Sequence, residues 1–131
     1  MSAGAGSVAL QLTAYGGRDD GLFVGAMADS TFLPTQRPVD ELKAQYTLTL
    51  NATGCDGDNV NHMECLRGLD ASVLQTAANV KRPYTGRTAN PIFYWTPTVD
   101  GDFIRGNTHK AFRSGAFVKV PLLYGTDTDG E

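Results

Sequence analysis

Apolar residues fall in short, well-separated groups along this chain, and their spacing predicts helices alternating with strands. Val8, Leu12 and Tyr15 recur at intervals that share one helical face, so residues 3–15 read as a helix stopped by Gly16 and Gly17. Arg18-Asp19-Asp20-Gly21 is turn chemistry, and the compact apolar run Leu22 to Met27 behind it reads as a buried strand. Pro34 and Pro38 punctuate a loop. A helix beginning at Thr35 or Val39 then places Leu42, Tyr46 and Leu50 four apart on one face. Beyond a polar loop from Asn51 to Glu64, a helix running from Glu64 to Asn79 sets Leu66, Leu69, Val73 and Leu74 on its packed side. Lys81 to Asn90 is a basic loop that reads as a solvated face. Ile92 to Thr98 predicts a strand leading into Val99-Asp100-Gly101-Asp102, a turn whose aspartates hold the backbone rather than act as a catalytic pair. Asn107 to Ser114 predicts a short helix with Gly115 past its end. Val118 to Tyr124 predicts a strand whose pairing starts only after Pro121, because proline has no N–H for a ladder. Helices placed between strands in this way suit a parallel α/β sheet.

Composition narrows the class of partner more than the class of fold. At 131 residues, 41% hydrophobic and 19% charged, the chain has the make-up of a globular domain with a real core, so residues 1–131 read as one domain. A net charge of −3 and eleven scattered basic residues argue against a nucleic-acid partner, which needs clustered cations. No apolar run approaches the roughly 20 residues of a membrane span. Val8 to Leu12 is short, broken by Gln11 and without a basic flank, so it does not read as a signal peptide.

Cys55 and Cys65 are the only cysteines, with nine residues between them. That interval is not a Cys-x-x-Cys pair and only His62 lies nearby, so a structural disulfide in an oxidising compartment is favoured over a metal or redox site. Asn51-Ala52-Thr53, just upstream, is an N-glycosylation acceptor and fits the same compartment. Asp127-x-Asp129-Gly130 lacks the other ligands of a calcium loop, and nothing in the chain implies a metal or an organic cofactor.

The chemistry is concentrated at the start. Ser2-Ala3-Gly4 ahead of a helix is the downstream half of a G-x-S-x-G nucleophile elbow, whose first glycine would precede the chain; a small-residue helix start is the plainer alternative. In an elbow, small residues tolerate the strained turn, and Gly4 would let the helix lie close to neighbouring strands. The Ser2 hydroxyl then stands at a helix N-terminus, and the Ala3 N–H faces the developing oxyanion.

The run from Gly4 to Ser30, then CLRGLD (Cys65 to Asp70), PTVDGDFI (Pro97 to Ile104) and FVKVPLLYGTDTD (Phe117 to Asp129), resembles the type B carboxylesterases, especially the fungal esterases and lipases. The likeness covers the whole chain but only a middle portion of that family's catalytic domain. It implies a partial α/β-hydrolase fold, with a segment of the central, mostly parallel sheet and its flanking helices. It also implies a serine carboxylic ester hydrolase with Ser2 as nucleophile, Ala3 as oxyanion donor and a paired cysteine loop before the C-L-R helix. Small-molecule or lipid esters would be the substrates of a secreted parent. The family's acid lies after the last strand in a D-E-G pattern, whereas this chain reads Asp129-Gly130-Glu131, which makes Glu131, one place late, the candidate acid and Asp129 its neighbour one place early. Neither His62 nor His109 matches the family's later histidine. The resemblance therefore implies that these 131 residues alone are inactive, and that their unpaired sheet edges favour non-specific self-association. A non-catalytic, cholinesterase-like adhesion domain is the alternative within the family, and Ser2-Ala3-Gly4 argues against it.

Overall fold

The structure is a computed structural model that describes residues 1–79 and 93–127. The chain divides into two compact units, residues 1–39 with 95–131 and residues 40–94. No helix among the described residues is long and apolar enough to cross a membrane.

The first unit is built on α1, Ala3–Thr13, which packs against strand β1, Ala26–Asp29. Ala5, Ala9 and Leu12 supply the buried side of α1, with Ala28 buried on β1. The expected face of Val8, Leu12 and Tyr15 is thus rotated: Val8 is half-buried, and Tyr15 belongs to a 3-10 turn, Ala14–Gly16. Small alanines win the inner side because helix and strand approach closely there. Tyr15, Gly16 and Gly17 are left-handed in succession, which stops the helix where the two glycines predicted. A Cβ on Gly17 would overlap the Phe117 backbone nitrogen. The Tyr15 N–H donates to the Phe103 carbonyl at 3.0 Å, and their rings meet edge to face at 5.2 Å.

Strand β1 pairs in parallel with β4, Leu122–Gly125, in the register Ala26 to Leu122 through Asp29 to Gly125. The strand expected at Leu22 to Met27 therefore begins four residues later. The cause is its partner: the first ladder bond runs from the Ala26 N–H to the Pro121 carbonyl at 3.0 Å, because pairing starts after Pro121 as the proline required. Leu22 and Val24 are exposed outside the strand. A second parallel pair joins β2, Arg37–Pro38, to β3, Thr98–Val99. The strand expected from Ile92 to Thr98 shrinks to this two-residue element, and Ile92 lies outside the described residues. Helix α5, Thr108–Ser114, is capped by Asn107, whose side chain accepts from the Lys110 N–H at 3.1 Å, and ends in left-handed Gly115. Gln36 holds α5 reciprocally: its Nε2 donates to Thr108 Oγ1 at 2.6 Å and its Oε1 accepts from the Thr108 N–H at 2.9 Å. Asp100 accepts from the N–H groups of Asp102 and Ile104, both at 2.9 Å, so the turn reading of the aspartates holds. Those backbone donors keep the Asp100 carboxyl below its usual range.

The second unit is helical. Helix α2, Val39–Thr53, buries Gln45, Thr49 and Leu50, while Tyr46 is exposed. Leu50 is buried and Leu42 half-buried as the expected apolar line requires, but Gln45 takes the place of Tyr46, donating to the Tyr94 carbonyl at 2.9 Å. The single helix expected from Glu64 to Asn79 is two, α3, His62–Gly68, and α4, Ala71–Asn79. Leu69 turns extended and the Asp70 carboxylate captures the Ser72 N–H at 2.8 Å, a side-chain cap that restarts the helix. Of α3 and α4 only Ala77 is buried; Leu66 and Leu69 are half-buried, and Val73 and Leu74 are exposed. Cys55 and Cys65 form a disulfide with Cα atoms 5.8 Å apart, and Cys55 is fully buried. The basic loop at Lys81 to Asn90 lies outside the described residues.

Candidate active site

Ser2 caps α1 with φ 54° and ψ −124°, a backbone that L-residues rarely adopt. Such a conformation costs on the order of 1–3 kcal/mol and persists only where its surroundings hold it. They hold it on both sides here. The Ser2 N–H reaches the carbonyls of Asp29 at 3.3 Å and Ser30 at 3.2 Å. Its carbonyl accepts from the Gly6 N–H at 3.0 Å and the Phe32 N–H at 3.4 Å. Ser2 also makes a parallel bridge to Thr31, extending the sheet at the end of β1.

The close approach that the sequence assigned to Gly4 belongs to Gly6. Nothing lies within 4 Å of a Cβ placed on Gly4, whereas one on Gly6 would overlap the Phe32 carbonyl oxygen. Gly6 thus admits the strand-end segment against the first turn of α1, and that segment clamps Ser2. The Ser2 side chain makes no capping hydrogen bond and the residue is exposed. Ala3 is the first residue of α1, where helix N–H groups lack intrahelical acceptors. Given a base to take its proton, an exposed hydroxyl on a strained turn can attack a carbonyl carbon, and free N–H groups at a positive helix end can stabilise the resulting oxyanion.

Sequence reasoning passed over Ser30. It too is left-handed, with φ 49°. Its N–H donates to the Gly125 carbonyl at 3.0 Å, and its Oγ donates to Asp127 Oδ2 at 3.2 Å. No sequence signal marks a serine for positive φ; a parallel strand ending beside the Ser2 turn imposes it. Gly125 must be small here, since a Cβ would stand 2.8 Å from Asp29 Oδ1.

The histidines are elsewhere. His62 opens α3, its ring 6.0 Å from that of Tyr46, and His109 is exposed in the first turn of α5. Among the described residues no histidine is hydrogen-bonded to Ser2. Glu131 and Asp129 lie outside the described residues. Asn51 is exposed in the last turn of α2, where Thr53 Oγ1 donates to the Thr49 carbonyl at 2.8 Å.

The family model described as "Carboxylesterase family" matches residues 1–131. The chain belongs to the carboxylesterase family. Among curated proteins, a chlorogenic acid esterase of Aspergillus niger is 30% identical over 96% of this chain and 23% of its own length. A secreted triacylglycerol lipase of Gibberella zeae is 31% identical over 98% of this chain and 22% of its own. Among solved structures, Aspergillus niger EstA superposes with a TM-score of 0.80 at 43% identity, covering 93% of this chain and 24% of EstA. The chain therefore spans under a quarter of the length of these carboxylesterase relatives. Its α1 and its parallel β1 and β4 are a segment of an α/β-hydrolase fold.

Proposed function

We propose that this chain carries the nucleophile end of a serine carboxylic ester hydrolase. The observation that carries the reading is the left-handed backbone of Ser2 at the head of α1, clamped by Asp29, Ser30, Gly6 and Phe32. Ser2 Oγ attacks an ester carbonyl, the carbon becomes tetrahedral, and the Ala3 N–H receives the oxyanion. A histidine other than His62 and His109 accepts the Ser2 proton and returns it to the leaving alcohol, and an acid from the stretch after β4, where the sequence puts forward Glu131, orients that histidine. The substrate class is small-molecule or lipid esters, in keeping with relatives described as an esterase and a triacylglycerol lipase.

Three further readings belong with this one. The two units are parts of one catalytic domain, as the match over residues 1–131 supports. The protein works outside the cell, which the Cys55–Cys65 disulfide and the secreted lipase relative favour, and there Asn51 is open to glycosylation. Residues 1–131 alone do not turn over esters and associate through exposed apolar surface.

The test is hydrolysis of p-nitrophenyl butyrate by the protein expressed from its complete reading frame, beside its Ser2→Ala variant and beside residues 1–131 alone. Turnover is expected only in the first. Equal turnover with Ser2→Ala would overturn Ser2 as nucleophile, and Ser2-dependent turnover by residues 1–131 would mean that His62 or His109 serves as base.

A further inference from the structure

Away from Ser2, the first unit holds a second hollow whose chemistry the ester reaction does not use. It lies between the last turn of α1 and α5, with a volume of about 320 Å³, inside the roughly 300–1,000 Å³ range of small-ligand pockets. At about 1.5 Å per residue, the length of α1 puts it about 16 Å from Ser2. Ile104, Ala111 and Ala116 give it apolar walls, and the exposed side chains of Arg105 and Lys110 bring two positive charges to it. Arg105 is anchored through Nε, which donates to the Asp102 carbonyl at 3.3 Å. Its guanidinium lies over Gly16, where a Cβ would stand 3.2 Å from Nη1. Among the described residues, neither the outer nitrogens of Arg105 nor Nζ of Lys110 has an acceptor or a carboxylate partner. The hydroxyls of the same wall are already engaged: Thr13 Oγ1 donates to the Ala9 carbonyl at 3.1 Å and Ser114 Oγ to the Ala111 carbonyl at 3.0 Å. No acid lines the hollow among the described residues. Helix α5 carries His109, Lys110 and Arg113 and no acid either, a local positive excess in a chain of net charge −3.

We propose that this hollow binds an organic monocarboxylate with an apolar body. The two outer nitrogens of Arg105 match the two carboxylate oxygens, Lys110 adds a point charge, and Ile104, Ala111 and Ala116 cover the hydrocarbon. Both halves of the ligand are needed. An inorganic anion would satisfy the cations and leave the apolar walls in water, whereas a neutral hydrocarbon would cover the walls and desolvate two unpaired charges. The site stands at the opposite end of α1 from Ser2 and does not depend on Ser2 being the nucleophile.

The experiment is equilibrium dialysis of radiolabelled octanoate against the protein from its complete reading frame, with octylamine and inorganic phosphate as comparison probes and with Arg105→Gln, Arg105→Lys and Lys110→Gln as variants. Octanoate is expected to bind the unchanged protein more tightly than either comparison probe, and to lose about tenfold or more in affinity in Arg105→Gln and in Lys110→Gln. Tm should hold in both, because both side chains are exposed. Arg105→Lys is expected to keep part of the affinity, since it retains the charge and loses the fork. Equal octanoate affinity in the unchanged protein and both glutamine variants places the carboxylate elsewhere, the Ser2 centre included, and overturns the proposal. Phosphate binding as tightly as octanoate reduces the site to a cationic patch, and octylamine binding as tightly reduces it to an apolar groove; either result overturns it. So does an absence of octanoate binding at millimolar concentration. A loss confined to Arg105→Gln and accompanied by a lowered Tm, with Lys110→Gln unaffected, makes Arg105 structural and overturns it as well.

Discussion

Two residues show how tightly the turn at Ser2 is built and how local charge supports a turn. Gly6 stands where any side chain would press on the Phe32 carbonyl, and that segment supplies the Phe32 N–H to Ser2. Gly6→Ala should therefore destabilise the first unit by about 1–3 kcal/mol through overpacking, despite alanine's better helix propensity. Thermal unfolding of the complete protein would show it as a lower Tm, and an unchanged Tm would mean that residues 31–33 yield freely. Asp100 gives a pH prediction. Its folded-state pKa is lowered from 3.8 chiefly by the N–H groups of Asp102 and Ile104. A depressed carboxylate supports its turn fully above the unfolded value and loses that support as pH falls through the folded value. The Asp102 and Ile104 amide resonances should hold steady through neutral and mildly acidic pH and move together below 3.8. Movement near neutrality would point to a different titrating group.

Among the elements, α3 depends on a covalent tie more than on burial. Helix α3 buries no residue and α4 buries only Ala77, so packing alone gives them little. The Cys55–Cys65 bond closes the loop between α2 and α3, and in the chain-entropy model so short a loop contributes about 2–3 kcal/mol. Reduction should increase amide hydrogen exchange across residues 40–79 and leave α1 and β1 protected. Equal loosening of both units would show that they unfold as one. Non-reducing peptide mapping of secreted material should recover the linked peptides. The break between α3 and α4 was readable in principle, since Asp70 with Ser72 is a side-chain cap. The apolar periodicity across it, from Leu66 to Leu74, hid it by continuing in phase.

At the scale of the whole molecule, the sheet is covered on too little of its surface. No residue of β4 is buried, and Met27 and Leu123, register partners on β1 and β4, are 70% and 65% exposed. Beside them an apolar hollow of about 350 Å³ lies open among Val8, Leu12, Phe23 and Met27. Leaving large apolar side chains in water forfeits roughly 1.5–3 kcal/mol each, against a total domain stability of about 5–15 kcal/mol. Residues 1–131 in isolation should therefore elute above monomer size, and Met27→Lys with Leu123→Lys should shift them toward monomer. A sharp, cooperatively melting monomer of the unchanged chain would refute this. What the sequence determined by itself follows from local chemistry: α1 and its glycine stop, the start of pairing after Pro121, the Asp100 turn and the Asn107 to Gly115 helix are each set by residues within a few positions of one another. Only the tertiary structure decided which side of α1 is inner, where β1 begins, that Gly6 rather than Gly4 takes the close contact, and that Ser30 links Ser2 to Asp127 across 97 residues of chain. Those features arise where separate strand ends meet, and no local pattern of residues encodes a partner that far away.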